Sequence, residues 1–383
     1  MRHRPYIITC LALIVYSPLV AQDHSTNPIS PFTLKASYVG DALANVTGGI
    51  RTGTTYLGMV HLSLSFDTEK AGLWKGGRFS VLGTNTHGGM PSADLIGDHQ
   101  IVSNIEAGNL TFIQELWYRQ QIGRFSTIFG VQDLNAQFAS STYAGLFLNS
   151  SFGVPATLSS NIPSPIFPLT ALGWQLQYDF SEKMTARMAL FDGLPEGYKH
   201  NTNNLSWELN INEGYLSIAE VTVTDLLPKL HAGSYTVGAY YHNHFESHLP
   251  DSVGEQYREN HGFYLLADQM LFQGKDGRTL SLFIQASVSP SLKNTNNNYL
   301  GVGLNYSGLI QKRTEDVLGL AMARAGFVNR LNDHETTFEL TYKAQLTDRF
   351  YIQPDVQYVV HPSGQDVLLR NALVGVLRMG LDF

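Results

Sequence analysis

The strongest constraint on the fold is an alternation of apolar and polar residues with a period of two, which is clearest at the end of the chain. Over residues 373–383 every odd-numbered residue is apolar or glycine, whereas Arg378 and Asp382 are even-numbered. Successive side chains of a β-strand point to opposite faces, so this pattern predicts a strand with one apolar face. The segments 335–346 and 350–360 alternate in the same way. The sequence therefore predicts an all-β protein.

About sixteen segments of this kind occur, and most are close to the length of about ten residues that a membrane-spanning strand needs. Both faces are mixed in 214–224, 262–272 and 316–327, so their orientation is not predicted. The predicted strands are 33–44, 56–66, 78–84, 110–121, 125–132, 172–180, 184–192, 214–224, 232–244, 262–272, 279–288, 299–307, 316–327, 335–346, 350–360 and 370–383.

The connections between these segments alternate in length. Those at 122–124, 181–183 and 347–349 are short. Tight turns on one side and long loops on the other are typical of an even-stranded outer-membrane barrel, with short periplasmic turns and long extracellular loops. The long connections are 85–109, 133–171, 193–213 and 245–261.

Composition is compatible with this way of crossing a membrane. Hydrophobic residues make up 43% of the chain, a value that would also suit a soluble protein, because a barrel dilutes lipid-facing residues with lumen-facing ones. Hydrocarbon tolerates no unpaired backbone groups, so spanning strands must close into a ring. A ring of about sixteen strands has a lumen too wide for side chains to fill. We therefore predict a water-filled channel for passive passage of small solutes.

The first 21 residues are typical of a signal peptide. Arg2 and Arg4 precede an apolar run over 6–15, and Leu19-Val20-Ala21 suits a signal peptidase. The only cysteine, Cys10, lies in this segment, so we expect no disulfide in the mature chain. The net charge of −7 disfavours nucleic acid as a partner. The predicted parts are a signal peptide (1–21), a short N-terminal arm (22–32) and an outer-membrane barrel domain (33–383) of a Gram-negative bacterium.

Several local motifs occur in the order typical of one known family. Together they resemble the carbohydrate-selective porins of the OprB family over residues 33–383. The resemblance implies a sixteen-stranded barrel with a constricted lumen and uptake of monosaccharides such as glucose, although some relatives carry other small polar solutes. The motifs are SYVGDALANVTGGI (37–50), GTNTHGGMPSADLIGDHQIVSNIEA (83–107), ELWYRQ (115–120), YAGLFLNSSFG (143–153), ALFDGLPEG (189–197), ADQMLF (267–272) and ELTYKAQLTDRFYIQPDVQYVVHPSG (339–364).

The strand that contains ELWYRQ supplies the first candidate pore-lining residues. A sugar has many hydroxyls and no charge, so a selective constriction should offer paired donors and acceptors and an aromatic face. Alternation sends Glu115, Trp117 and Arg119 to the lumen. The alternative is an ordinary polar wall strand with an internal ion pair, since lumen residues need only be wettable. The same alternation sends to the lipid Leu110, Phe112, Leu116 and Tyr118.

The connection 133–171 is far longer than a link between two strands needs to be. We expect it to fold inward and narrow the lumen, with Asp133 and Asn135 facing the solute path; the alternative is an external flap on the cell surface. Arg187 is also expected to face the lumen, where it lines the constriction or balances Asp179.

No metal or other cofactor is predicted. The connection 85–109 is rich in Asn, Asp and His without a fixed ligand spacing, which favours an ordered polar loop. His242 and His244 share a strand face and His248 follows, so a zinc site is the alternative there. The sequence contains no nucleophile elbow or zinc-protease motif, so a barrel hydrolase is the less favoured function.

The expected partners follow from these predictions. They are small sugars as permeating solutes, outer-membrane lipid around the wall, and the barrel-assembly machinery during biogenesis. A terminal aromatic residue, here Phe383, is the kind of signal by which that machinery is thought to recognise its clients, although a terminal Phe also occurs by chance. The sequence leaves open whether the barrels form homo-oligomers, and whether the solute is a sugar or another small polar molecule such as an amino acid.

Overall fold

The computed structural model describes residues 30–195, 197–207, 209, 214–227, 230–243 and 259–383. The predicted signal peptide and most of the predicted N-terminal arm lie outside these residues. Within the described part, sixteen antiparallel strands form one closed barrel in which each strand pairs with its neighbours in sequence and the last pairs with the first. The strands are β1 Phe32–Gly49, β2 Gly53–Asp67, β3 Gly77–Gly88, β4 Leu110–Ile122, β5 Phe125–Gln132, β6 Ala171–Ser181, β7 Met184–Asp192, β8 Tyr215–Thr224, β9 Gly233–His242, β10 Asn260–Gln273, β11 Thr279–Val288, β12 Asn296–Ser307, β13 Val317–Phe327, β14 His334–Thr347, β15 Phe350–Val360 and β16 Arg370–Asp382.

The seam between β1 and β16 closes the barrel. Ser37 lies opposite Asp382 at one end of the seam, and Gly49 lies opposite Arg370 at the other. Because this pairing leaves no free sheet edge, every wall strand has a partner on both sides, as a strand in hydrocarbon requires. The predicted all-β transmembrane barrel of sixteen strands is confirmed.

The two ends of the barrel differ. The connections 123–124, 182–183 and 348–349 are tight turns at the end where both described termini lie, and we call this the turn end. The connections 89–109 and 133–170 leave the opposite, loop end. No helix in the part of the chain that the structure describes is long and apolar enough to cross a membrane.

The outer face is apolar, as the alternation predicts. Phe129, Val237 and Phe263 each expose more than half of their surface on this face. Near the turn end, aromatic rings follow one another around the outside; the ring centres of Phe79 and Tyr118 lie 4.6 Å apart. Such a belt is typical of the lipid–water boundary of an outer-membrane barrel.

The buried core lies inside the barrel, between the wall and chain segments that fold into it. Phe147 and Phe152 pack on Phe283 of β11, with ring centres 5.5 and 5.7 Å from it. Full burial of such a side chain stabilises a fold by about 1.5–3 kcal/mol. Three buried clusters of this kind join inward segments to β7–β10, to β11–β13, and to β1, β15 and β16.

One strand departs from regular alternation. In β4 the register against β3 shifts by one residue, so that Leu82 lies opposite Glu115 and Gly83 opposite Ile113. The extra residue, Gln114, reverses the facing of every residue before it. Phe112 is therefore buried on the inner side, 3% exposed, and the prediction that Leu110 and Phe112 face lipid is wrong.

Candidate functional site

Residues 133–170, which we call the inner loop, run inside the barrel. Asp133 begins the loop and accepts a hydrogen bond from the backbone N–H of Asn135 at 2.9 Å. Asn149 caps a short helix, α1 (Ser150–Gly153), in the same way, and α2 (Ala156–Asn161) follows. Asx caps satisfy free N–H groups at the starts of the turn 134–136 and of α1, so these two short elements can form without a long helical run, whereas α2 follows Pro155 and has no side-chain cap.

Carboxylates of the barrel wall bind the backbone of the inner loop. Glu339 accepts the N–H of Leu148 at 2.6 Å and the N–H of Asn149 at 3.1 Å, one on each oxygen. Asp268 accepts the N–H groups of Thr142 and Tyr143 at 2.9 and 3.3 Å.

A third wall carboxylate belongs to Glu220 of β8. It accepts the N–H of Ala139 at 3.1 Å, and the hydroxyl of Tyr264 donates to the same oxygen at 2.8 Å. Glu220 also forms an ion pair with Arg187 at 3.2 Å. The loop is therefore attached to the wall on β8, β10 and β14.

Wall amides and phenols bind the carbonyl groups of the same loop. Gln285 donates to the carbonyl oxygen of Phe152 at 2.8 Å, and Tyr299 donates to that of Ser151 at 2.7 Å. Gln353 donates to the Leu146 carbonyl at 2.8 Å. Both kinds of backbone group are thus satisfied by side chains, which a buried loop without its own ladder requires.

The connection 89–109, which we call the second loop, also enters the barrel. Glu335 accepts the N–H groups of His99 and Gln100 at 2.8 and 2.9 Å. Gln357 donates to the Val102 carbonyl at 2.8 Å. On the opposite side of the seam, Ser103 donates to Asp41 at 2.7 Å.

The inner loop leaves an off-centre space open inside the barrel, because its attachments cover the wall from β8 to β15. The open space is a cavity of about 670 Å³ between the two loops and the wall of β16, β1, β2 and β4. Its size lies within the range of small-molecule sites. Among its lining residues are Val39, Met59, His61, Gln114 and Arg378 of the wall, Gln100, Asn104 and Glu106 of the second loop, and Asp133, Asn135, Ser151, Ser159 and Ser160 of the inner loop.

Asp133 and Asn135 both line this cavity. Asp133 also accepts the N–H of Phe167 at 3.2 Å, so it joins the two ends of the inner loop. Asn135 donates to the carbonyl oxygens of Phe138 and Gly153 at 3.2 and 3.1 Å. Burial, and then the negative charge of the nearby Glu115, raise the pKa of Asp133 to about 7.

Glu115, Trp117 and Arg119 lie on the inner face of β4 but not among the residues that line the cavity. The indole N–H of Trp117 donates to Glu115 at 3.0 Å. Arg119 donates to Ser126 at 3.0 Å and to Gln121 at 3.2 Å. In the described residues no ion pair joins Glu115 to Arg119, so the internal pair of the alternative interpretation is not present.

Arg187 lies apart from the cavity. It pairs with Glu220 and donates to Gln177 at 3.0 Å, whereas Asp179 accepts from Gln177 and Thr185. Arg187 lines a smaller polar space of about 380 Å³ on the turn-end side of the inner loop. The structure therefore pairs Arg187 with Glu220 and not with Asp179.

Most residues that line the cavity were not among the predicted site residues, and His61, Gln114 and Glu106 are three examples. His61 and Gln114 lie on β2 and β4, and Glu106 lies in the second loop. Alternation in β2 places His61 on the lumen face, so a signal for it was present in the sequence. Gln114 is turned inward by the β4 bulge, and no residue pattern marks that bulge. Burial, followed by the charge of Asp98, raises the pKa of Glu106 to about 7.

The described residues contain no group of three metal-binding side chains. The ring of His242 is buried, with its Nε2 2.7 Å from the carbonyl oxygen of Gly193. His244 and His248, the other members of the alternative zinc site, lie outside the described residues.

Comparisons with known proteins agree with this architecture. The chain is 26% identical to Porin B of Pseudomonas aeruginosa over 92% of this chain and 87% of that protein. The high-pH structure of Pseudomonas putida OprB superposes with a TM-score of 0.83 at 22% identity, over 92% of this chain and 94% of that one. The outer membrane channel DcaP of Acinetobacter baumannii shares the fold, with a TM-score of 0.57 at 10% identity over 92% and 97% of the two chains.

The model of one protein family matches most of the chain. The match spans residues 51–383, which includes β2 to β16 and both loops that line the cavity. Fold and family are those of an outer-membrane channel for sugars, not of an enzyme. The chain belongs to the carbohydrate-selective porin, OprB family.

Proposed function

We propose that monosaccharides such as glucose diffuse passively through the off-centre cavity between the two loops and the wall of β16, β1, β2 and β4. The observation that carries this proposal is the lining of the cavity, which combines serine hydroxyls, amides and carboxylates within one space of about 670 Å³. A sugar presents hydroxyls that both donate and accept, so it needs a lining with both functions.

The inner loop supplies most of the small polar groups of this lining. Ser151, Ser159 and Ser160 line the cavity from one side, and His61 and Gln114 from the other. A solute passes between two surfaces that can form hydrogen bonds with its hydroxyls. These bonds replace the hydrogen bonds to water that a sugar loses as it moves through the cavity. We infer that Asp133 and Asn135 belong to this path, because both line the cavity and both bind backbone groups of the inner loop, which holds them in position.

Glu115, Trp117 and Arg119 have a different part in the proposal. They lie on the inner face of β4 outside the cavity lining, and the Trp117–Glu115 hydrogen bond fixes the indole ring. We propose that they form the wall past which a solute travels towards the turn end. Arg187, which is paired with Glu220, contributes to the polar space on the same side.

Small polar solutes of other classes remain the second candidate. Glu106 and Asp133 line the cavity, and the one arginine in its lining, Arg378, is paired with Asp41. An acidic lining disfavours anions. Among charged solutes we therefore expect cations to pass more readily than anions.

We further propose that the protein has no hydrolytic activity, that its apolar outer face contacts outer-membrane lipid, and that the turn end faces the periplasm. The orientation is supported by the short turns and the termini, which share one end. Purified protein should not hydrolyse detergent-solubilised lipid or peptide. Hydrolysis by wild type would contradict the channel-only assignment.

Swelling of proteoliposomes tests the solute class, whether or not the barrels associate. We expect glucose to enter faster than disaccharides and trisaccharides, and faster than glutamate of similar size. Faster entry of arginine or glutamate than of glucose would overturn the sugar assignment and leave the channel intact. Absence of swelling with every solute would overturn both.

A further inference from the structure

We propose that Glu220, Asp268 and Glu339 are positioning residues that set the width of the channel. They do so by holding the backbone of the inner loop against the wall of β8, β10 and β14. The proposal rests on the proposed function in one respect, namely that solutes pass between this loop and the wall of β16, β1, β2 and β4. The three carboxylates lie on β8, β10 and β14, outside the cavity lining.

The contacts follow the course of the loop. Glu220 binds the N–H of Ala139 near the start of the loop, Asp268 binds 141–143, and Glu339 binds 148–149. Each carboxylate therefore fixes a different point of one continuous stretch. Between these points the apolar side of the inner loop packs on the wall. This packing keeps the loop close to the wall, but it is non-directional and does not fix where along the wall the loop lies.

Two of these residues bury their carboxyl groups against the inner loop, and Glu339 also shares a side-chain hydrogen bond with Asp355 of β15. Asp268 and Glu339 are 7% and 0% exposed, and no lysine or arginine of the described residues forms an ion pair with either. A buried carboxylate without a cation is unfavourable unless hydrogen-bond donors surround it. Here the donors are backbone N–H groups of the inner loop, together with the hydroxyl of Ser141, which lies 2.6 Å from Asp268.

Attachment through carboxylates also has a mechanical consequence. In Glu339 the two oxygens bind two consecutive N–H groups, which fixes the direction of the chain as well as its distance. A loop held in this way stays at a constant distance from the wall of β16, β1, β2 and β4 while solutes pass.

Amide variants of the wall carboxylates test the proposal. In Glu339→Gln one acceptor oxygen becomes an NH₂ group that faces a backbone N–H, and in Asp268→Asn the same happens at 142–143. We expect both folded variants to show higher single-channel conductance in KCl, more frequent substates, and faster entry of disaccharides than wild type. Asp316→Asn is the matched control, because Asp316 accepts from Arg313, Tyr342 and Gln345 at the turn end and touches neither loop.

A loop-side pair of variants keeps the test decisive if the wall variants do not fold. The φ angle of Asn149 is −64°, which proline adopts without strain, so Asn149→Pro removes the N–H that Glu339 binds and leaves the wall intact. Asn149→Ala removes the side-chain cap and the side-chain hydrogen bond to Gln357, both of which Asn149→Pro also removes, but it keeps the N–H. We expect higher conductance in Asn149→Pro than in Asn149→Ala.

The outcomes separate this inference from the proposed function. Equal conductance and equal disaccharide entry in wild type, Glu339→Gln, Asp268→Asn and Asp316→Asn would overturn the positioning role, as would equal conductance of the two Asn149 variants. Conductance is measured with salt alone, so it decides the point even if glucose fails to enter proteoliposomes. Raised conductance in the variants with no glucose entry in wild type would support the positioning role and overturn the sugar function.

Discussion

Arg378 of β16 and Asp41 of β1 form a two-point ion pair across the seam that closes the barrel. The Nε atom of Arg378 lies 2.7 Å from Oδ1 of Asp41, and an Nη atom lies 2.8 Å from Oδ2. Asp41 is fully buried, and the hydroxyl of Ser103 donates to it at 2.7 Å. The pair therefore joins the first strand, the last strand and the second loop at one point.

Removal of one member of this pair should strongly destabilise the barrel. Asp41→Asn leaves the Arg378 guanidinium buried without a counter-charge, and breaking a buried pair in this way costs about 3–5 kcal/mol. We expect a lower denaturant midpoint for the refolded variant than for wild type. The double variant Asp41→Asn with Arg378→Gln should recover part of the loss, because no charge remains unpaired; a double variant less stable than the single one would contradict this explanation.

Ion selectivity should depend on pH through Asp133. Burial and the charge of Glu115 raise the pKa of Asp133 to about 7, so its carboxylate charge appears only as the pH rises through that value. Preference for K⁺ over Cl⁻ should therefore increase from one pH unit below to one unit above this pKa. Reversal potentials in a KCl gradient measure it. Asp133→Asn should weaken the pH dependence, and Glu106, whose pKa burial also raises to about 7, should account for the remainder.

The same shift has the opposite sign for stability. A carboxyl whose pKa is raised on folding contributes stability in its neutral form, fully present below its ordinary pKa and lost as the pH rises through about 7. In wild type the ends of the inner loop should thus be held more firmly at acidic pH. Hydrogen exchange of the Phe167 amide, which Asp133 binds, should be slower relative to the intrinsic rate at acidic pH, and no such trend is expected in Asp133→Asn.

The sequence could predict the barrel because alternation is a property of each strand alone. In β14 to β16 the lipid face is apolar and the lumen face carries polar groups such as Glu339 and Gln357, so pattern and structure agree. Orientation could not be predicted for 214–224, 262–272 and 316–327. In these strands the inner face is also apolar, because the inner loop packs on it with residues such as Phe138 and Phe152.

The site was less accessible to sequence reasoning for a related reason. Which wall residues meet the solute depends on where the inner loop lies, and its position is set by contacts between residues far apart in the chain, such as Leu148 with Glu339. The bulge at Gln114 gives a second example. One extra residue turns Phe112 inward, although no residue pattern in β4 marks the bulge. Alternation therefore predicts on which face of the barrel a side chain lies, but not whether that side chain contacts the inner loop or the solute.

Glu115 should tune the charge of Asp133 from outside the cavity lining. Its negative charge is the second cause, after burial, of the raised pKa of Asp133. Glu115→Gln removes that charge and keeps an acceptor for Trp117, so the pKa of Asp133 should fall. We expect the rise of K⁺ preference to move to lower pH. An unshifted pH profile would show that Glu115 does not influence the solute path electrostatically, and Asp316→Asn, at the turn end, is the matched charge control.

Gly130 should be intolerant of any side chain, although it lies inside a strand. Its φ of +136° is rarely adopted by other residues, and an added Cβ would lie 2.2 Å from the carbonyl oxygen of Leu116 on β4. Backbone strain of this kind costs about 1–3 kcal/mol, and the contact with a rigid backbone oxygen adds to it. Gly130→Ala should therefore lower the denaturant midpoint of the refolded barrel. Because Gly130 lies only three residues before Asp133, where the inner loop begins, we also expect altered single-channel conductance.

Gly375 of β16 is the matched control for that substitution. An added Cβ there meets no atom within 4 Å. Gly375→Ala restricts the unfolded chain and should leave stability unchanged or raise it by about 0.4–1 kcal/mol. If Gly130→Ala and Gly375→Ala unfolded at the same denaturant concentration, the backbone of β5 would not be constrained at Gly130.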